Sequence, residues 1–332
     1  MNLNATTLSS WGLLIAKALK DYGIDPQPLF KEAGLDPQKM HEARERYPAK
    51  SLQKLWGFAV DATEDPAFGL KVAKHWHPTS FCALGYAWLA SRNLLEAMER
   101  AVRYSRAVTD MVNLSLDKAG GAYKLSLDYI ELGLKPIPES VDAAIGSLVV
   151  MTREAYCEEI NPVLVMLPRA QPANTKDFNE FFHSPIEYEA KECSILFNED
   201  EIEKPLPTAN TELALMTDKV IEDYIADLDN NVLSMQVKSK LLQRLPTGVA
   251  TEQNIANALK VSPSILKKQL DAEGTTFNAL LEETRQELTQ KYIAEGKLSM
   301  DEIAFLLGFT DPREFRSAVE KWKIGSSFEV DA

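Results

Sequence analysis

Two stretches near the C-terminal end, TEQNIANALKVSPSILKKQL (251–270) and LSMDEIAFLLGFTDPREFRSAVEKW (298–322), each spell two short helices around a tight turn. A chain carrying both must build a small all-helical unit there. In the first, Ile255, Ala256 and Leu259 form an apolar stripe, Val261 closes the turn, and Ser262 with Pro263 opens the next helix. Serine as N-cap satisfies an orphan amide, and proline at the first helical position gives up an amide that has no partner. The second starts with a capping box, Ser299 and Glu302, and breaks at Gly308. A new helix is expected from Thr310 or Asp311, with Pro312 just inside it. Between the two, Phe277, Leu280, Leu281, Leu288 and Tyr292 recur at helical spacing, which predicts one long joining helix.

A helix-turn-helix lays its second helix in the major groove, and two such helices about 34 Å apart read one face of DNA. The helices expected to do so are Ser264–Leu270 and Pro312–Trp322. The words EGTTF, IAFLLGF and Lys321-Trp322, in this order and spacing over 251–328, are similar to the DNA-binding domain of AraC/XylS-type bacterial transcription regulators. That resemblance implies double-stranded promoter DNA as partner, read as half-sites by a homodimer, with RNA polymerase as a further partner. The side chains placed to meet DNA are Ser262, Ser264, Lys267, Lys268, Thr310, Arg313, Arg316 and Lys321. Several positions depart from the family pattern, Ser327 in place of a usual proline and the acidic Glu329 and Asp331 among them. Lysines replace arginines in the first reading helix, and Ser317 and Glu320 stand where the family usually has basic residues. Lysine lacks the bidentate fork that arginine offers guanine, and a carboxylate beside phosphate weakens binding.

The chain has 332 residues and a net charge of -13, the reverse of the basic footprint of most DNA-binding proteins. Most of the acidity lies outside the helical unit. Residues 230–332 carry 13 Lys+Arg against 14 Asp+Glu, whereas residues 1–229 carry 23 against 35. A near-neutral unit neutralises few phosphates, so weak or dimer-dependent DNA binding is expected. Hydrophobic residues at 45% and charged residues at 26% suit a folded protein with enough chain for two domains, read as 1–229 and 230–332. No signal peptide or membrane-spanning run is visible, and a cytoplasmic location is expected. The three cysteines, Cys82, Cys157 and Cys193, lack the paired spacing of a zinc or dithiol site.

The N-terminal part mixes helix and strand. Trp11, Leu14, Ile15, Ala18 and Leu19 form one helical stripe, and Leu94, Ala97, Met98, Ala101, Val102 and Ser105 another. NLSLD (113–117) and YKLSLD (123–128) alternate around KAGG as a hairpin, and VLVML (163–167) and SILF (194–197) read as buried strands. The fold class is therefore α+β for this domain and all-α, with two helix-turn-helix units joined by a long helix, for the second. EIEKPLPTAN (201–210) leads into a helix over about 211–228, and DLDNN (227–231) is taken as the boundary. The stretch 46–106, with FFHSPIEYEA and KPLPTAN, resembles the effector-binding and dimerisation domain of a non-cupin AraC-type subgroup, the ornithine and fatty-acid regulators. The resemblance implies a sensor of small metabolites such as amino acids or fatty acids.

Aromatic rings and imidazoles crowd the span from His75 to Tyr104. His77, Phe81, Trp88 and Tyr104 are the expected lining of an effector pocket, with Arg103 or Arg106 answering a carboxylate. The plain alternative is that the rings fill the core. Ser51-Leu-Gln-Lys54 and Ser264-Ile-Leu-Lys267 match the serine-x-x-lysine signature of acyl transferases without its partner motifs. His75 and His77 have the wrong spacing for a shared metal, and no phosphate-binding glycine loop occurs. No enzyme activity, metal or cofactor is expected. The competing reading is a degenerate relative that has lost DNA reading and acts through protein contacts or ligand sequestration.

Overall fold

The computed structural model describes residues 5–130, 136–156, 160–231, 233–309 and 311–322. Two compact units divide the chain, meeting between Ile225 and Ala226. The first begins with β1 (Thr6–Leu8), α1 (Ser10–Asp21), α2 (Gln27–Ala33), β2 (Arg46–Pro48), α3 (Ala49–Thr63), α4 (Phe68–Lys74), α5 (Cys82–Ala90) and α6 (Leu94–Val108). There follow β3 (Val112–Ala119), β4 (Ala122–Tyr129), α7 (Pro138–Tyr156), β5 (Leu164–Leu167), α8 (Lys176–Phe182), β6 (Ile186–Tyr188), β7 (Ser194–Asn198), α9 (Glu199–Ile202) and α10 (Thr211–Asn231). β1 and β2 form a small antiparallel ribbon, and the other strands a mixed sheet in the order β3-β4-β7-β5-β6.

The expected hairpin is present: Ala119 pairs with Ala122 across Gly120 and Gly121, both at positive φ, a turn glycine accepts without strain. Its apolar alternation puts Leu125 and Leu127 inside, with Leu125 in register with Ile195 of β7. The stripe on α1 buries Leu14, Ile15, Ala18 and Leu19 against Leu52, Leu55 and Trp56 of α3 and Phe68 of α4. Trp88 is fully buried on α5, where its indole N–H donates to the Met151 carbonyl at 3.0 Å. Close approach sets two glycine positions. A Cβ on Gly69 would lie 2.0 Å from the Glu139 carbonyl oxygen, and one on Gly85 2.1 Å from that of Pro78. DLDNN is helical here, completing α10.

The second unit contains α11 (Leu233–Arg244), α12 (Glu252–Ala258), α13 (Pro263–Ala272), α14 (Phe277–Glu295), α15 (Met300–Leu306) and α16 (Pro312–Trp322). Two small cores form along α14, whose 19 residues span about 28 Å. One gathers Val237, Leu241, Ile255, Leu266, Leu270 and Leu280, and the other Ile303, Leu307 and Phe315 with Leu288 and Tyr292. Ser262 and Ser299 cap their helices as the sequence predicts, and Thr251 adds a cap that was not read from it. Thr251 accepts from Asn254 N–H, Ser262 from Ile265 N–H, and Ser299 and Glu302 complete a reciprocal box. Each such cap stabilises its helix by about 1 kcal/mol. α11, which carries no strong apolar period, has its first amides capped by the Glu273 carboxylate at 3.0 and 2.9 Å.

Gly85→Ala tests the close approach of α5 to the turn at Pro78, because the obstructing atoms are backbone and cannot rotate away. Chemical denaturation should show a loss of roughly 1–3 kcal/mol. An unchanged midpoint would mean that the two segments are further apart.

Candidate functional site

The two helix-turn-helix units present different electrostatics. On α13, Ser264, Lys267, Lys268 and Gln269 are exposed while Leu266 and Leu270 face the core. Lys267 and Lys268 make no ion pair or side-chain hydrogen bond among the described residues, which leaves both ammonium groups available to phosphate. Ser262 is committed as N-cap, although its hydroxyl proton is still free to donate outward. On α16 every candidate cation meets a carboxylate. Arg313 pairs with Asp311 at 3.1 Å, Arg316 with Asp301 at 3.4 Å, and Lys321 with Glu282 at 2.6 Å. Thr310 lies outside the described residues. Exposed pairs of this kind contribute little stability, so DNA can compete for these cations, but each must first leave its carboxylate.

Arg285 organises the second turn and was not singled out by the sequence. From α14 its guanidinium donates to the Leu307 and Gly308 carbonyls at 2.9 and 3.0 Å and lies 4.1 Å from the Phe309 ring centroid. It thereby satisfies carbonyls left open where α15 ends, and burial lowers its pKa. Gly308 sits at φ 67° in that turn. The only sequence signal was an arginine interrupting the apolar spacing of α14, one turn before Leu288.

In the first unit, a cleft of about 270 Å³ opens beside the short 3₁₀ turn Pro78–Phe81, α5 and α10, lined mainly by apolar atoms of Phe81, Leu84, Ala107, Val220 and Ile221. Arg44 and Tyr224 stand at it, the guanidinium 5.4 Å from the Tyr224 ring centroid. Of the six residues expected to line an effector pocket, Phe81 is in this cleft. Arg103 lines a different one of about 380 Å³ with Glu99 and Tyr123. Trp88 is held in the core, and His77 is exposed, its ring accepting from Thr79 N–H as the cap of the 78–81 turn. Arg106 pairs with Asp110 at 3.7 Å. The six therefore do not converge on one cavity.

Tyr104 belongs to a clamp between α6 and α10. Its hydroxyl donates to Glu222 at 2.8 Å. One turn earlier the buried Arg100 donates to both oxygens of Asp218 at 3.0 and 3.2 Å, to Ser91 at 3.0 Å, and pairs with Glu96 at 2.7 Å. Burial pulls the Arg100 pKa down, but hydrogen bonds to Asp218 and Glu96 outweigh it and hold it above its ordinary value. Arg46 adds a contact to the Tyr224 hydroxyl at 3.4 Å. The clamped face of α10 buries Ala214, Ile221 and Tyr224, while Leu215 and Met216 are exposed. Arg100 was legible in one respect, being a charge set between Ala97 and Tyr104 on the buried stripe of α6.

Among the described residues no helix is long and apolar enough to cross a membrane, and no group of three or more His, Cys, Asp or Glu is placed to hold a metal ion. Residues 23–206 match the arabinose-binding N-terminal domain of AraC transcription regulators, and residues 255–324 match a helix-turn-helix domain. The chain is 29% identical over 316 residues to the ornithine utilization regulator of Pseudomonas aeruginosa, covering 92% of each protein. It is 21% identical over 325 residues to the transcriptional regulator VirS of Mycobacterium tuberculosis, covering 96% of this chain and 93% of that one. A crystal structure of the regulator CdpR from Pseudomonas aeruginosa aligns over 90% of this chain and 93% of that one, at 17% identity and a TM-score of 0.45.

Replacing Lys267 and Lys268 together by alanine should weaken DNA binding and flatten its salt dependence by up to about 1.8 in log–log slope, since each phosphate contact contributes about 0.9. Arg313→Ala with Arg316→Ala should change the slope less, because both arginines start out paired. Fluorescence anisotropy over a salt series checks this, and a larger effect from the arginine pair would reverse the ranking of the two helices.

Proposed function

We propose a function from one premise: the chain belongs to the AraC family of transcription regulators, with an N-terminal effector-type domain and a C-terminal helix-turn-helix domain. It binds promoter DNA as a homodimer, each subunit taking a half-site mainly through α13, and it responds to a small molecule held in the first unit. We place the functional boundary at 229/230, and RNA polymerase is the partner through which bound regulator acts. The observation that carries the reading is the free lysine pair on the exposed face of a capped second helix. Such a helix is the part of a helix-turn-helix that meets the groove.

The effector site we favour is the cleft at Phe81. Its apolar lining suits the body of a small ligand, and Arg44 at its edge suits a carboxylate. Val220, Ile221 and Tyr224 put one wall of the cleft on α10, and α10 runs on as a single helix past Ile225 to Asn231. A ligand that favours one placement of this helix shifts DNA affinity by its differential affinity for the two placements, and by no more.

The test is anisotropy with DNA from upstream of the protein's own gene, at low and moderate salt, with straight-chain carboxylates of four to ten carbons. The reading expects at least one of them to change affinity severalfold in the full chain, and Ala83→Trp, which fills the cleft, to remove that response while leaving ligand-free DNA binding intact. A response that survives Ala83→Trp would move the effector site elsewhere, and absence of any DNA binding at low salt would sink the regulator reading.

A further inference from the structure

The two edges of the main sheet differ. β6 is an edge of three residues with Glu187 at its centre, too short to template another strand. β3 forms the other edge over eight residues, with no proline and no bulge, its register with β4 unbroken from Val112 to Ala119. The two-residue turn makes Ala119 and Ala122 a hydrogen-bonded pair, and such pairs alternate along an antiparallel ladder. The Ile130 N–H donates to the Met111 carbonyl at 2.9 Å and the Leu127 N–H to the Cys193 carbonyl at 2.8 Å, both in phase with that alternation. Asn113, Ser115, Asp117 and Ala119 therefore use their backbone groups on β4. Val112, Leu114, Leu116 and Lys118 turn theirs to the open edge, where no backbone partner meets them among the described residues.

Beside this edge runs the groove of about 380 Å³, walled by Leu95, Glu99, Val102 and Arg103 of α6 and by Leu116 and Tyr123 of the hairpin. Leu95, Val102, Leu114 and Leu116 are only half-buried, and Glu99 and Arg103 are exposed with no ion pair among the described residues. An edge of this kind accepts a further strand, its backbone giving affinity and its side-chain groove giving specificity. The sequence of β3 is complementary to itself. Antiparallel pairing with a second β3 must oppose the two outward-facing sets, and centring the pair on Ser115 uses all four residues of each. Leu114 then lies opposite Leu116 of the second copy on the α6 face, and Asn113 opposite Asp117 on the other. No like charges meet. A centre at Asp117 would oppose two carboxylates, which is unfavourable, and would leave outward residues unpaired.

Building on the homodimer reading above, we propose that β3 is the subunit interface: it pairs antiparallel about Ser115 with β3 of a second copy and joins two five-stranded sheets into one of ten. The same two-fold axis brings the two grooves together with α6 reversed. Glu99 of each copy then faces Arg103 of the other, and Leu95 and Val102 extend the apolar contact begun by Leu114 and Leu116. The interface shares no residue with the cleft at Phe81, so it is independent of the effector assignment there.

Sedimentation equilibrium of the full chain, free and with upstream DNA, gives the dimer constant, and cysteine variants report the register under mild oxidation. Directly opposed residues at a non-hydrogen-bonded position lie about 4.5 Å apart at Cα, within reach of a disulfide. Ser115→Cys should therefore cross-link to a covalent dimer well above the wild-type background. Asn113→Cys, about 14 Å from its counterpart at about 3.4 Å per residue, should not. Leu116→Pro removes an N–H that points away from β4, and it should weaken dimerisation about tenfold or more, because the two-fold deletes two backbone hydrogen bonds at once. Glu99→Arg should weaken the dimer, and Glu99→Arg with Arg103→Glu should restore it. The cysteine pair decides the matter if Leu116→Pro does not fold. A dimer in which Ser115→Cys cross-links no better than Asn113→Cys would overturn this interface and leave the homodimer reading intact. A wild-type chain that stays monomeric on DNA would overturn both.

Discussion

The Arg100 guanidinium, buried on α6 and shared among Asp218, Glu96 and Ser91, fixes where α10 lies in the first unit. A buried cation is tolerated only with its charge answered and its donors filled. The apolar face of α10 is narrow, Ala214, Ile221 and Tyr224, and by itself fixes the helix poorly. Arg100 and Tyr104 supply the register, since each finds an acidic partner one turn apart on α10. Once held, α10 closes one side of the cleft at Phe81 and carries on past the unit boundary. On the proposed function, effector sensing and DNA affinity are linked through this one helix.

The C-terminal unit solves a different problem, which is to keep two short helix pairs at a set spacing with little core. α14 does this with an apolar stripe at each end and polar ties between. Lys238 pairs with Glu283 and Glu287, and Arg285 holds the turn after α15. The same helix supplies Glu282, which holds Lys321 and receives the Trp322 N–H at 3.2 Å. Its acidic face thus orders α16 while reducing the positive potential α16 can offer DNA. On the proposed function, phosphate contact is therefore left largely to α13.

The helical half was legible because its signals are local. Caps, the Ser262-Pro263 start and the Gly308 break are read within a few residues, and the structure places α12 to α16 where those signals put them. The hairpin was legible for the same reason. The first unit was legible as a class, but its cleft at Phe81 was not, because that cleft draws on residues as far apart as Ala43 and Tyr224. Crowding of rings between His75 and Tyr104 was a real signal of burial. It could not tell Trp88, whose indole is used up in the core, from Phe81, which faces the cleft. The acidic partners on α10 that decide the fate of Tyr104 and Arg100 lie 118 residues away.

The central claim is that the clamped position of α10 sets DNA affinity, and the most direct measurement uses the full chain with Asp218→Asn and Glu222→Gln. Hydrogen exchange over residues 211–231 reports whether the clamp has opened, and anisotropy with upstream DNA reports the consequence. The account predicts faster exchange in 211–225 together with a severalfold change in DNA affinity. Faster exchange with unchanged affinity would contradict it, because the helix would then be free to move without any effect on DNA.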